Sequence, residues 1–198
     1  MQQKLYNLII KRRSIRLFKQ RKVPSAVIKK GVNAARLAPC AANLQFLEYL
    51  VVKDKLLREK IFTYTRWAGY LYPRRTPPAG MRPTFYVFIL MNKEKSQNFD
   101  LRDVGAAAEN MILTFLEQGV GACWIASLDR KSLGNFLNIP KNYEIDSVIA
   151  GGFAAEEPKL EQDAKNIKYW LDKKNRLHVP KRSLKDIIYF DSLTTLQA

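Results

Sequence analysis

The stretch Asp103–Gln118 constrains the fold of this 198-residue chain more than any other. Its residues include the small Ala106, Ala107 and Ala108 and the bulky Met111, Ile112, Phe115 and Leu116, so a helix built from them is apolar nearly all round. Such a helix belongs at the centre of a structure, packed on both sides or across a subunit boundary. Gly119 and Gly121 end it. The rest of the chain must supply the layers that cover it.

Those layers are readable as alternating elements. Leu5, Leu8 and Ile9 mark one face of a first helix over Leu5–Lys11, and Ser14-Ile15-Arg16 breaks its pattern. Pro24 suits the first position of a second helix running to about Leu37, which Ala38-Pro39 stops. Phe46–Val52 reads as a strand and Asp54–Thr63 as a helix. Phe85–Met91 is a buried strand, Ala122–Ala126 a short one, Lys131–Leu137 a helix and Asp146–Phe153 a further strand. The tail holds Tyr169-Trp170-Leu171, a turn around Lys174-Asn175 and a last helix from Ser183, where Ser183 and Asp186 have the spacing of a capping box. Interleaved helices and strands make the class α/β or α+β, and spacing alone does not choose between them. Between Tyr64 and Pro83 lies a long irregular stretch carrying Trp67, Tyr70, Tyr72, Arg74 and Arg75 among four prolines. A loop of that length in a small domain is a lid, a binding loop or a disordered tip.

Several chemistries are disfavoured. The formal charge is +16, but the basic residues are scattered, and the densest cluster, Lys11 to Lys22, has no aromatic platform for stacking bases, so specific nucleic-acid binding is not expected. No apolar run reaches the roughly 18 residues of a membrane helix, and the N-terminus lacks the pattern of a secretory signal. Two cysteines, Cys40 and Cys123, are too few for a disulfide framework and fit a reducing, cytoplasmic setting. The single histidine, His178, has no Gly-x-Ser-x-Gly elbow to serve and no metal-ligand spacing around it; it reads as an ordinary surface or half-buried side chain. No P-loop occurs, and Gly119-Val120-Gly121 follows a helix and precedes a strand, the reverse of the dinucleotide fingerprint. What remains is a cofactor that brings its own chemistry. If Arg12-Arg13-Ser14-Ile15-Arg16 is extended, positions 12, 14 and 16 project to one side and offer two guanidinium groups and a hydroxyl to an anion. Taken in isolation, the segment reads as a solvated basic turn after a helix.

Read in order, the segments resemble a known family. Arg12–Phe18 resembles the opening motif of the nitroreductase-like flavoenzymes, and Ala38-Pro39-Cys40-Ala41-Ala42-Asn43-Leu44-Gln45 their Ala-Pro-Ser-x-x-Asn-x-Gln loop. Asp103–Met111 is similar to their central helix, Gly119–Ile125 to the strand entry after it, Ala150–Phe153 through Pro158 to a late strand and its exit, and Pro180–Leu184 to a basic C-terminal segment. The resemblance implies an α+β sandwich with a mostly antiparallel sheet between helices, in an intertwined homodimer with FMN at the interface. It implies one FMN-binding domain over residues 1–198, with the segment from about 160 to 198 wrapping the partner subunit. By this resemblance Arg12, Ser14 and Arg182 hold the FMN phosphate with Lys181 close by, Arg13 belongs to the cofactor-binding set, and Arg16 sits at the pyrimidine edge of the flavin as an electrostatic tuner. Pro39, Cys40, Asn43 and Gln45 reach the cofactor from the partner, and backbone amides around Ala126 and Ser127 face the flavin N5. Asn43 and Gln45 also fit a plain loop-capping role before the Phe46 strand. Cys40 stands where the family usually has serine, a weaker donor for a stronger one. In the 64–83 stretch the family's further polar ring contact does not align, and Trp67, Tyr70 and Arg75 are instead the candidates for a substrate-side wall, by residue type. The implied activity is ping-pong transfer of hydride from NADH or NADPH, through flavin N5, to a nitroaromatic, quinone or similar small-molecule acceptor, with no catalytic side chain and no metal. The alternatives are other flavin chemistry on the same scaffold (dehalogenation, dehydrogenation or flavin destruction), or a non-catalytic flavin or nucleic-acid binder.

Overall fold

A computed structural model describes residues 3–162 and 165–193. Within it the chain forms two compact units, residues 1–156 and residues 157–198. The first unit is an α+β sandwich. Its five-stranded sheet is built on the longest strand, β5 (Tyr143–Ala154). Along one edge of β5 runs β3 (Phe85–Asn92), which in turn pairs with β2 (Leu47–Val52). The other edge is shared by β4 (Gly121–Ile125), beside Val148–Gly152, and the two-residue β1 (Phe18–Lys19), beside Phe153 and Ala154. Every pairing in this sheet is antiparallel. That settles the class as α+β.

β3 explains why the sheet has helices on both faces. All eight of its residues are buried. The pleat sends Phe85, Val87, Ile89 and Met91 into one core and Tyr86, Phe88 and Leu90 into the other. The first core is closed by α2 (Ser25–Arg36) and α4 (Leu101–Glu117), the second by α3 (Lys55–Thr63) and α5 (Arg130–Phe136). α4 is the central helix expected from its composition, capped by the Asp100 side chain, which accepts from the Arg102 amide. It packs on α2 so closely that a Cβ at Gly31 would stand 2.2 Å from the Phe115 ring. Only glycine permits that crossing. α1 (Gln3–Lys11) is different: Leu5, Tyr6, Ile9 and Ile10 line one face of it and remain 44 to 65% exposed.

The second unit is a three-stranded sheet in the order β6 (Lys159–Gln162), β8 (Leu177–Lys181), β7 (Trp170–Leu171). β6 and β8 run parallel, and β7 and β8 form a hairpin around the Asp172–Arg176 turn. The helix expected from Ser183 is a correction: only one 3-10 turn, Leu184–Asp186, forms, and Ser183 makes no capping bond. Asp186 is one methylene shorter than the glutamate of a true capping box, and its carbonyl is taken by the Arg182 guanidinium at 2.6 Å. The expected arm over residues 160–198 falls partly outside the described residues.

Candidate functional site

The arginine-rich lead-in between α1 and β1 is held from both sides. Ile15 donates its amide to the Ala122 carbonyl at 2.9 Å, and its side chain lies on Gly121, where an added Cβ would come within 2.8 Å of it. The Glu156 carboxylate accepts from the amides of Arg16 and Leu17. With Ile15 turned inward, the polar side chains of the segment are left half-buried along the surface. Arg12 pairs with Glu109 of α4 at 3.2 Å. The Arg13 guanidinium bends back onto the Arg12 carbonyl, and its Nε is buried with no partner among the described residues. Burial, and then the neighbouring charge of Arg12, lower the pKa of Arg13. The two guanidinium groups crowd each other and only Arg12 meets a carboxylate among the described residues, an arrangement that an added anion relieves.

Seven of the predicted cofactor contacts of the first unit fall into two groups, and Arg12, Arg13 and Ser14 belong to neither. Arg16, Ala126 and Ser127 line one small cavity of about 190 Å³, together with Trp67 and Gly69 from the 64–83 loop. A larger cavity of about 770 Å³ shares Arg66, Trp67, Gly69 and Ser127 with it. Pro39, Cys40, Asn43 and Gln45 instead line a separate cavity of about 400 Å³ against α2 and α4.

This second group sits on a strained turn. Ala42, Asn43 and Gln45 all have positive φ, between 49° and 53°. Asparagine tolerates that region, whereas alanine and glutamine do so at a cost of about 1–2 kcal/mol each. The turn is held by Asp103, whose carboxylate accepts the Ala41 amide at 3.0 and 3.2 Å, and by the Gln45 amide, which donates to Cys40 Sγ at 3.3 Å. Burial, then the hydrogen bond with Asp103, raise the Cys40 pKa. Tyr49 lines the same cavity with a buried hydroxyl that has no partner among the described residues, and burial pushes its pKa up to about 12. The capping role for Gln45 survives only weakly, as a 3.4 Å bond from its side chain to the Asn43 carbonyl.

The 64–83 loop is placed differently from a simple wall. Trp67 is 3% exposed, stacks on Phe62 with centroids 5.7 Å apart, and donates Nε1 to Thr65 Oγ1 at 2.8 Å. It forms the floor of both cavities. Arg75 is 6% exposed, and its guanidinium meets Glu156. Of the three predicted wall residues only Tyr70 faces solvent. Sequence reasoning passed over Glu156 and Arg66, since nothing local marks either.

Lys181 and Arg182 lie at the end of β8 in the second unit. His178 is a correction to the reading of an ordinary surface or half-buried side chain: it is buried. Nδ1 is 2.7 Å from Glu161, Nε2 is 3.2 Å from Asp172, and the ring stacks on Trp170 at 4.0 Å. Among the described residues no group of acidic, histidine and cysteine side chains is arranged to hold a metal, and no helix is long and apolar enough to cross a membrane.

An antiparallel sheet between two helical layers, entered through an arginine-rich segment, is the architecture of the nitroreductase-like proteins. The Nitroreductase family model matches residues 9–153, and the chain belongs to that family. It is 30% identical over 159 residues to a provisionally named NADH dehydrogenase/NAD(P)H nitroreductase of Archaeoglobus fulgidus, covering 76% of this chain and 85% of that protein. It is 24% identical over 184 residues to the iodotyrosine deiodinase of Thermotoga neapolitana, covering 83% of this chain and 97% of the relative. Among solved structures, a provisionally named nitroreductase of Desulfovibrio desulfuricans in complex with FMN superposes with a TM-score of 0.69 at 22% identity, over 81% of this chain and 91% of that one. The last two likenesses speak for the fold.

Proposed function

We propose that the protein is an FMN-dependent NAD(P)H oxidoreductase that works as a homodimer. The observation that carries this is the division of the predicted contacts between two cavities of one chain. Arg16, Ala126 and Ser127 border one, while Pro39, Cys40, Asn43 and Gln45 border the other. A second copy, presenting its 38–45 turn to the first copy's Arg16 cavity, unites them. The uncovered apolar face of α1 supports association, because four large side chains along one helix face cost free energy in water.

The residues present fit an anionic, planar cofactor. The orphaned Arg13 Nε and the crowded Arg12 suit a phosphate, with Ser14 next to Arg13 in the chain, and the family resemblance adds Lys181 and Arg182 to the same set. The buried Tyr49 hydroxyl is a free donor beside the 38–45 turn. Bound FMN would supply the redox chemistry, accepting hydride from NADH or NADPH and returning it to a nitroaromatic, quinone or similar acceptor in alternate half-reactions. The protein then has three tasks: Arg16 places positive charge beside the ring system, the amides around Ala126 and Ser127 present donors, and the apolar floor at Trp67 limits water. No side chain acts as nucleophile or metal ligand.

A second reading, reductive dehalogenation, is favoured by the likeness to iodotyrosine deiodinase over most of the chain. The test is a visible spectrum of the purified protein with the chromophore released and quantified, followed by NAD(P)H oxidation with nitroaromatic, quinone and halotyrosine acceptors. About one FMN per chain and turnover with the first two classes are expected. A protein that neither carries nor binds FMN refutes the flavoenzyme reading.

A further inference from the structure

The larger cavity under the 64–83 loop has a chemistry that the flavin reading does not use. Resting on that reading, we propose that this cavity is a subsite for an oxyanion, a carboxylate or a phosphate, on the ligand that enters the adjoining Arg16–Ser127 cavity, with Arg66 as its counter-charge.

Four observations converge on Arg66. Its backbone is fixed: the Arg66 amide donates to the Ser127 carbonyl at 3.0 Å, Thr65 bridges to Leu128, and the Asp129 amide donates to the Tyr64 carbonyl at 3.0 Å. Its side chain is exposed and has no ion pair among the described residues, although Arg12, Arg75, Arg82 and Arg102 each face a carboxylate. It borders both cavities, and the only charged side chains lining them are those of Arg16 and Arg66. Uncharged donors complete the larger cavity: Tyr72 and Thr76, the latter with a buried hydroxyl that has no partner among the described residues. A concave site with cations on an anchored backbone, hydroxyl donors and no carboxylate attracts anions, and a guanidinium fork binds carboxylate and phosphate geometry directly. The net charge of +16 favours the approach of such ligands.

The anion has two possible sources, an acidic electron acceptor or the extra phosphate of NADPH, and matched pairs separate them. The FMN-loaded, oxidised protein is titrated with 4-nitrobenzoate and with its neutral counterpart 4-nitrobenzamide, following the flavin absorption band. In parallel, kcat/KM is compared for NADPH and NADH. A preference of roughly tenfold for the charged member of a pair is expected, the size of one charge-assisted hydrogen-bond pair. Arg66→Gln should collapse that preference to within about twofold, and Arg66→Lys should restore part of it. Lys55→Gln, an equal change of net charge at the exposed start of α3, should leave the preference intact. Discrimination within the nitro pair assigns the acceptor as the source; discrimination within the nucleotide pair assigns the donor. Absence of discrimination in both pairs, or its survival in Arg66→Gln, overturns the subsite while leaving the flavin reading standing. A protein that takes up no FMN overturns both.

Discussion

The turn at residues 38–45 and the loop at 64–83 are both irregular and both border a cavity, yet they are held in opposite ways. The loop is fastened from beneath. Its Trp67 lies in the second core against Phe62, and its Arg75 reaches the buried carboxylate of Glu156, which also caps the Arg16 and Leu17 amides. The turn rests on the first core only through the partly buried Ala38 and Cys40, and its residues 41–45 are exposed. Three positive φ angles in four residues are kept in place by the Asp103 carboxylate and a thiol contact. The loop therefore uses Trp67 and Arg75 for anchorage and leaves Arg66 and Tyr72 exposed along the larger cavity. The turn holds strain at the place where the proposed cofactor contacts are presented, a common feature of binding sites.

The largest test of this contrast is Arg75→Ala. Removing one partner of a buried ion pair strands the other, so urea unfolding should show a loss of about 3–5 kcal/mol. Trp67→Ala should cost about as much through the cavity it leaves. Tyr70→Ala, on the same loop but 56% exposed, should stay within about 0.5 kcal/mol. An Arg75→Ala protein as stable as wild type, with altered substrate kinetics alone, would restore the view of Arg75 as a wall.

The turn should respond with the opposite sign. Ala42→Gly removes the Cβ that a φ of 49° disfavours. The relief of about 1–2 kcal/mol exceeds the roughly 0.5–1 kcal/mol that glycine loses in backbone entropy, so the variant should gain a few tenths to about 1 kcal/mol. A looser turn should also bind FMN more weakly, by isothermal titration. A destabilised Ala42→Gly protein would mean that the methyl group is packed rather than strained, and the contrast between turn and loop would lose its basis.

The same contrast shows what can be read from residue order. β2, β3, β4 and the four main helices of the first unit were legible because burial on one or two faces leaves a periodic trace. β5 was found but begins at Tyr143, three residues before Asp146, since its early residues alternate too weakly. β1, β6 and β8 left no trace: two to five residues with lysine, glutamine or proline among them become strands only because a neighbour offers hydrogen bonds. In the site, the 12–16 and 38–45 motifs were visible as motifs; one cavity takes Arg16 from the first, and another takes Pro39, Cys40, Asn43 and Gln45 from the second. Trp67 and Arg75 were visible as residue types, but their fastening role depends on Phe62 and on Glu156, the latter 81 residues from Arg75. Arg66 carries no local signature. Its standing comes from bordering both cavities with no carboxylate against it among the described residues.

The smallest effect concerns Cys40, the turn's departure from the family's serine. Burial, then the hydrogen bond with Asp103, hold its proton more tightly than in an open thiol, although backbone bonds from Gln45 and Leu44 work against this. The sign follows by linkage. A folded pKa above the unfolded value leaves stability intact below the ordinary thiol pKa of about 8.5 and lowers it as pH rises beyond, because the unfolded chain releases its proton first. Cys40→Ser, which has no such proton to lose, should therefore show a flatter decline in unfolding free energy between about pH 8 and pH 10. Cys123, buried with its pKa also raised, remains in both proteins and cancels from the comparison. Peptide-mapped alkylation with iodoacetamide gives an independent reading: at pH 7.5 Cys40 should react more slowly in the folded protein than in urea. The opposite order would mean that the turn holds a thiolate, and Cys40 would then be a reactive group in its cavity rather than a weak donor in the place of serine.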